Sequence, residues 1–259
     1  MSSKTLWRVF VVFALFSTLF LTVGFYLGVK DILYPSAVSW STDKGAEEKA
    51  ETQYERNVQI VALGDSLTRG TGDQAGLGYV GNLRVKLSEA NGRNVYVLNH
   101  GVNGYRTDDL LSDLRNKEDI RRTIRQADII TLSIGGNDLF NVQSEEVNPE
   151  ASSARIPGAV VRYEKIVEII TSLNPKAKVL YMGLYNAFGD LPNAKKSYDV
   201  VRRWNEETAR VLYRYPNTIF VPTDDLFRVG GTKYLSSDHF HPNQAGYRRI
   251  GERMAEVLK

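Results

Sequence analysis

Residues 58–67 read VQIVALGDSL, a short and mostly apolar run that ends at a glycine and is followed at once by polar residues. Such a run is typical of a strand that is buried on both faces of a parallel sheet. Four similar runs occur later in the chain, separated by longer amphipathic segments. The predicted strands are 58–63, 95–98, 129–134, 179–184 and 219–221, and the predicted helices lie near 79–91, 107–126, 157–172, 195–214 and 243–258.

This alternation of strands and helices predicts an α/β domain over residues 58–259. The expected architecture is a flavodoxin-like three-layer α/β/α sandwich around a central parallel sheet of about five strands. The composition, 42% hydrophobic and 24% charged, is that of an ordinary globular protein. The chain has no cysteine, which excludes a disulfide framework. The formal net charge of +3 is small and dispersed, so we expect no nucleic-acid partner.

Polar and glycine-rich residues follow the predicted strands at the edge where parallel sheets bind ligands. These segments supply a hydroxyl, a side-chain amide, a carboxylate and an imidazole, which together are the parts of a serine hydrolase. The segments are 64–67 (GDSL), 99–104 (NHGVNG), 135–138 (GGND) and 238–242 (DHFHP).

The spacing within the last segment distinguishes its two histidines. Asp238 and His241 are three residues apart, so in a turn the carboxylate can hold the imidazole Nδ1 proton and leave Nε2 for Ser66. His239 would project differently from an extended loop. Taken alone, a serine at a strand end is more often a helix cap, and the glycines can be simple turn residues.

The four segments in this order resemble the GDSL, or SGNH, hydrolase family of lipase- and acylhydrolase-like esterases. The motif residues are Ser66, Gly104, Asn137 and His241, and the resemblance covers about 58–259. One departure is His100, where the family more often has a small residue. His100 either lines the pocket or ends a strand.

The resemblance implies a site for acyl transfer through a covalent acyl-serine intermediate. The catalytic residues would be Ser66, Asp238 and His241, and the oxyanion hole would be formed by the backbone amides of Ser66 and Gly104 and the side-chain amide of Asn137. No cofactor is implied. No metal is implied either, because the histidines and acidic residues show no further ligand spacing.

The expected function is therefore that of a serine esterase or acylhydrolase that cleaves carboxylic esters, either lipids or O-acetylated carbohydrates. One alternative is an acyltransferase that passes the acyl group to an envelope sugar, and another is a non-catalytic envelope binding module. A Gly-x-Ser-x-Gly elbow is ruled out because position 68 is Thr. The natural ester and the oligomeric state are left open.

The N-terminal segment predicts attachment to a membrane. Residues 9–29 contain no charged side chain, and Lys4 and Arg8 precede them. At about 1.5 Å per residue such a helix reaches across a bilayer core of roughly 30 Å, and the positive residues place its start in the cytoplasm. We thus expect an anchor or uncleaved signal at 1–30, a polar linker at 31–57 and a single-pass protein with an extracytoplasmic domain, which would be secreted if the segment is cleaved.

Overall fold

The predicted five-stranded parallel sheet is confirmed in the computed structural model. The structure describes residues 7, 13, 16–26, 57–140, 148–189, 194–228 and 230–259. All pairings are parallel, and the strand order is β2-β1-β3-β4-β5, which is the flavodoxin-like order. The strands are β1 Val58–Gly64, β2 Val95–Gly101, β3 Ile129–Ser133, β4 Lys178–Met182 and β5 Thr218–Val221.

Helices cover both faces of this sheet, as expected for a three-layer sandwich. One apolar cluster packs α3, α4, α6 and α7 against one face, and a second packs α2 and α9 against the other. The helices are α1 Ser66–Arg69, α2 Gly78–Asn91, α3 Thr107–Asn116, α4 Glu118–Gln126, α5 Gly136–Leu139, α6 Pro149–Leu173, α7 Ala194–Leu212, α8 Asp224–Arg228 and α9 Gln244–Glu256, with a 3₁₀ turn at Gly231–Tyr234.

The apolar run of β1 is explained by its place in the sheet. Successive side chains of a strand point to opposite faces, and here Val61 and Leu63 enter one cluster while Ile60 and Ala62 enter the other. All four are fully buried. A strand with helices on both faces needs apolar residues at consecutive positions, which is why no alternation appears in the sequence.

Two predicted helices differ from the observed ones. The segment 107–126 forms two helices because Lys117 adopts an extended conformation between them. The helix predicted from 157 begins at Pro149 instead, where the side chain of Asn148 caps it by accepting from the N–H of Ala151. Proline favours the first helical turn, yet Pro157 lies inside α6.

The described N-terminal residues 7, 13 and 16–26 are helical. Within the described part of the chain, no helix combines the length and apolarity needed to cross a bilayer. Much of the predicted anchor at 1–30, and all of the predicted linker except Asn57, lie outside the described residues. The anchor and the linker therefore stay predictions.

Candidate active site

The motif residues meet where the strand order reverses. β1 lies between β2 and β3, so the loops that follow these three strands are neighbours at one edge of the sheet. Crevices at such a reversal are the usual ligand sites of open α/β sheets. Ser66 follows β1 and is the first residue of α1, and Asn137 lies in α5, shortly after β3.

Ser66, His241 and Asp238 form a continuous chain of hydrogen bonds. Nε2 of His241 lies 2.8 Å from Oγ of Ser66, and Nδ1 of His241 lies 2.6 Å from Oδ2 of Asp238. The serine is buried, and the imidazole side chain is 15% exposed. His239 has a left-handed φ of 55° and is exposed. The geometry thus pairs His241, rather than His239, with both partners.

The second oxygen of Asp238 is held by three donors. Oδ1 accepts the hydroxyl of Ser236 at 2.7 Å and the backbone N–H groups of Phe240 and His241 at 2.9 Å each. Burial opposes ionisation, but the hydrogen bonds from Ser236, His241 and the backbone outweigh it and hold the pKa of Asp238 well below its usual range. Asp238 therefore stays a carboxylate at neutral pH.

Asp65 fixes the turn that presents Ser66. Its Oδ1 caps α1 by accepting the N–H of Leu67 at 3.0 Å, and it also accepts the hydroxyl of Ser133 at 2.7 Å. Thr68 donates to the carbonyl of Leu63 at 3.0 Å from within the same buried cluster. Burial raises the pKa of Asp65 to about 6. Asp65 thus links β1, α1 and β3 beneath the serine.

The other two predicted oxyanion residues lie on neighbouring segments, Gly104 in the loop after β2 and Asn137 in α5. Gly104 is exposed and has a φ of +79°, a conformation that disfavours a side chain even though a Cβ there would meet no atom within 4 Å. Nδ2 of Asn137 donates to the carbonyl of Tyr105 at 2.9 Å. The loop itself is attached to β1 because the N–H of Val102 donates to the carbonyl of Gly64 at 3.0 Å. The structure thus brings Asn137 beside the segment that carries Gly104.

The residue next to Asn137, the buried Asp138, forms an ion pair with the partly exposed Arg162. Asp138 accepts the N–H of Thr107 at 2.8 Å and a guanidinium N–H of Arg162 at 3.0 Å. Arg162 also donates to the hydroxyl of Thr107 at 2.8 Å. This network joins α3, α5 and α6, and sequence reasoning missed the part played by Arg162. Nothing local marks that residue, since it lies 24 positions from Asp138.

His100 does not take part in this site. Its Nε2 lies 3.2 Å from the hydroxyl of Thr123 in α4, and burial lowers its pKa. Of the two interpretations that the sequence allowed, the structure therefore favours a residue that ends β2 and packs on a helix.

Aromatic side chains form a wall next to the imidazole. The ring of Phe240 stands at 89° to that of His241 with centroids 5.0 Å apart, and Phe188 lies 5.8 Å from Phe240. The hydroxyl of Tyr185 donates to the carbonyl of Phe240 at 2.6 Å and so fixes this loop. Phe240 was not predicted as a site residue because a single apolar residue in a loop forms no periodic pattern in the sequence.

The fold and the site together define a class of protein. A Ser–His–Asp hydrogen-bond chain at the carboxyl edge of a parallel sheet is the arrangement that serine hydrolases use. Among the described residues, no group of three or more His, Asp or Glu side chains is placed to hold a metal ion. Residues 62–249 match the GDSL-like lipase/acylhydrolase family, and the chain belongs to that family.

Individual relatives agree with this membership. The chain is 33% identical over 236 residues to the uncharacterized protein YpmR of Bacillus subtilis (strain 168), covering 88% of this chain and 92% of that one. It is 31% identical to the spore germination lipase LipC of Bacillus licheniformis, covering 76% and 94%. The crystal structure of the lipase Lip_vut3 from a goat rumen metagenome has a TM-score of 0.69 at 26% identity, covering 78% and 97%. The chain is thus an ester-hydrolysing enzyme, and the family resemblance seen in the sequence is confirmed.

Proposed function

We propose that this protein is a serine esterase that cleaves carboxylic esters through an acyl-serine intermediate. The observation that carries the proposal is the uninterrupted hydrogen-bond chain from Ser66 through His241 to Asp238, at 2.8 and 2.6 Å. A serine hydroxyl is a weak nucleophile unless a base within hydrogen-bond reach takes its proton. The Asp238 carboxylate holds the Nδ1 proton, so Nε2 is the free base.

In the first half-reaction, the proton of Ser66 moves to Nε2 of His241 while Oγ forms a bond to the ester carbonyl carbon. The negative charge that develops on the carbonyl oxygen is stabilised by hydrogen bonds that the N–H groups of Ser66 and Gly104 and the amide of Asn137 donate to it. An asparagine amide has two N–H donors, and only one of them is used by Tyr105. The N–H of Ser66 has no helical acceptor because it opens α1.

Collapse of this intermediate breaks the ester bond, and the alcohol leaves with the proton from His241. A water molecule then gives a proton to His241 and attacks the acyl-serine, which releases the acid and restores Ser66. The Asp238 side chain is 45% exposed and Gly104 is exposed, so solvent reaches the site. Access of water favours hydrolysis over transfer of the acyl group to a sugar.

The aromatic wall favours an ester with an apolar group. Phe188 and Phe240 are half-buried and offer their rings next to the imidazole, where an aliphatic chain gains about 25 cal/mol per Å² of buried surface. The similarity to a protein named as a lipase points in the same direction. We therefore place lipid-like esters ahead of O-acetylated carbohydrates as substrates.

Turnover of p-nitrophenyl acetate, with and without a sugar acceptor, tests the reaction. We expect release of nitrophenol and free acetate at a rate that the acceptor does not change, and no turnover in Ser66→Ala. Acetylated sugar as the main product would establish the transferase alternative. Absence of all turnover in the folded wild-type protein would favour the alternative of a non-catalytic envelope binding module.

We also propose that the N-terminal segment anchors the enzyme with its catalytic domain outside the cytoplasmic membrane. Support comes from the uncharged run 9–29 behind Lys4 and Arg8. Within the helical residues 16–26, the large apolar side chains are exposed, and the hydroxyl of Thr22 bonds to the carbonyl of Thr18 at 3.0 Å. Protease added to protoplasts should degrade the domain, and protection of the domain would contradict the orientation.

A further inference from the structure

Ser236 bonds to the Asp238 oxygen that the imidazole of His241 does not contact. Its hydroxyl donates to Oδ1 of Asp238 at 2.7 Å, while Nδ1 of His241 lies 2.6 Å from Oδ2. Two backbone N–H groups also donate to Oδ1, so this oxygen accepts three hydrogen bonds. The carboxylate cannot rotate to exchange its oxygens without breaking all three bonds.

The hydroxyl of Ser236 is itself held in place from two sides. The N–H of Ser236 donates to the carbonyl of His241 at 2.7 Å, and Leu235 pairs with Pro242, so the loop closes on itself. On the other side lies Gly72, where a Cβ would come within 2.9 Å of Cβ of His241 and 3.0 Å of Oγ of Ser236. The loop after α1 thus packs directly on the loop that carries Asp238 and His241.

We propose that Ser236 is a positioning residue of this active site, which holds the Asp238 carboxylate so that Oδ2 stays on Nδ1 of His241 during proton transfer. This inference rests on the ester hydrolysis proposed above. The hydroxyl of Ser236 bonds to Asp238 and, within the described residues, neither to Ser66 nor to the imidazole of His241, so it acts through Asp238. It is a fourth side chain on the line that runs from Ser66 through His241 to Asp238.

The loss of this hydroxyl should have two effects. A freer carboxylate orients the imidazole less well, which slows formation of the acyl-serine. The hydrogen bond from Ser236 also lowers the pKa of Asp238, so without it the carboxylate is more basic and pairs more strongly with a positively charged partner. The protonated imidazole is then favoured, and the acid limb of the pH profile moves to higher pH. A serine that only stabilised the loop would not move this limb.

Other ionisable groups near this loop do not compete for the same role. Asp73 lines the same cavity of about 750 Å³ as Asp238, but its carboxylate already accepts three backbone N–H groups of its own loop. The hydroxyls of Tyr185 and Tyr247 donate to backbone carbonyls, and burial raises the pKa of both. These tyrosines are therefore neutral throughout the assay range.

The test compares Ser236→Ala with Ser237→Ala in the full chain in non-ionic detergent. Ser237 is the matched control because it is the adjacent serine, is exposed, and makes no hydrogen bond through its hydroxyl within the described residues. We measure kcat and KM with p-nitrophenyl acetate between about pH 5 and 9. Ser236→Ala should lower kcat about tenfold with KM nearly unchanged, as expected for one lost hydrogen bond to a charged group. Ser236→Thr should restore kcat.

Two results would overturn the proposal. The first is that Ser236→Ala keeps both the kcat of the wild type and the acid limb of its pH profile. The second is that Ser236→Ala lowers kcat and the unfolding temperature but leaves the acid limb of the pH profile where it was. The low-field NMR resonance of the proton on Nδ1 of His241 can be measured without substrate. This resonance should shift or broaden in Ser236→Ala but not in Ser237→Ala. If the wild-type protein hydrolysed no ester, the proposed function would fail, whereas this resonance would still decide the role of Ser236.

Discussion

Replacing Asp65 by Asn should change how the stability of the domain depends on pH. The Asp65 carboxyl is buried beneath Ser66, and burial raises its pKa from 3.8 to about 6. Because the folded state binds this proton more tightly than the unfolded chain, the stabilisation is fully present below about pH 3.8 and is lost as pH rises through about 6. A rise of this size corresponds to roughly 3 kcal/mol.

Urea unfolding of the unit Glu55–Lys259 between about pH 4 and pH 7 measures this effect. Trp204 is the single tryptophan of that unit and is fully buried, so its fluorescence reports loss of the core. The free energy of unfolding of wild type minus that of Asp65→Asn should fall by roughly 2.4 kcal/mol between about pH 4 and pH 7, since the unfolded carboxyl is already more than half ionised at pH 4. A difference that stays constant with pH would refute the assignment of a buried, proton-binding carboxyl to Asp65.

Three further predictions concern the site. His241→Ala should abolish ester turnover and His239→Ala should keep most of it, measured as kcat on p-nitrophenyl acetate; the reverse pattern would contradict the observed pairing. Asn137→Ala should lower kcat by roughly 10²- to 10³-fold with little change in KM, and an unchanged kcat would remove Asn137 from the oxyanion hole. Gly72→Ala should reduce both kcat and the thermal unfolding midpoint, since its Cβ would come within 2.9 Å of Cβ of His241. Gly76→Ala, where φ is also positive but space is open, should cost only about 1 kcal/mol of stability and spare kcat.

Much of the fold was predictable because its strands are buried on both faces. β1 and β3 read as short apolar runs, and their bounds agree with the predicted ones to within a residue. Helix interruptions were less visible. Lys117 separates α3 from α4 with neither Gly nor Pro to mark the break, and Pro157 is tolerated inside α6 because tertiary packing overrides local preference.

Ser66, Gly104 and Asn137 could be selected from the sequence because each follows a strand, and strand ends of a parallel sheet converge. Asp238 and His241 could be selected because of their three-residue spacing just before the last helix. Their supporting contacts were not predictable in the same way. Arg162 reaches Asp138 from another helix, and Gly72 meets His241 across 169 positions of sequence. Such contacts depend on how loops pack in three dimensions. Ser236 is close in sequence to Asp238, but its hydroxyl donates to Oδ1 only because the loop folds back so that the N–H of Ser236 bonds to the carbonyl of His241.

The hydrogen bond between Ser66 and His241 spans 175 residues, and this separation governs when activity can begin. Ser66 is among the first residues of the domain to leave the ribosome, and His241 is among the last. Their meeting requires α9 to dock on α2, where Gly251 lies against the backbone of Tyr79 and Leu83. Under the proposed mechanism, a nascent or truncated chain that holds Ser66 but lacks His241 would not hydrolyse esters. Ester turnover is thus a readout of completed synthesis, and for an exported chain it would start only after the C-terminus has been delivered.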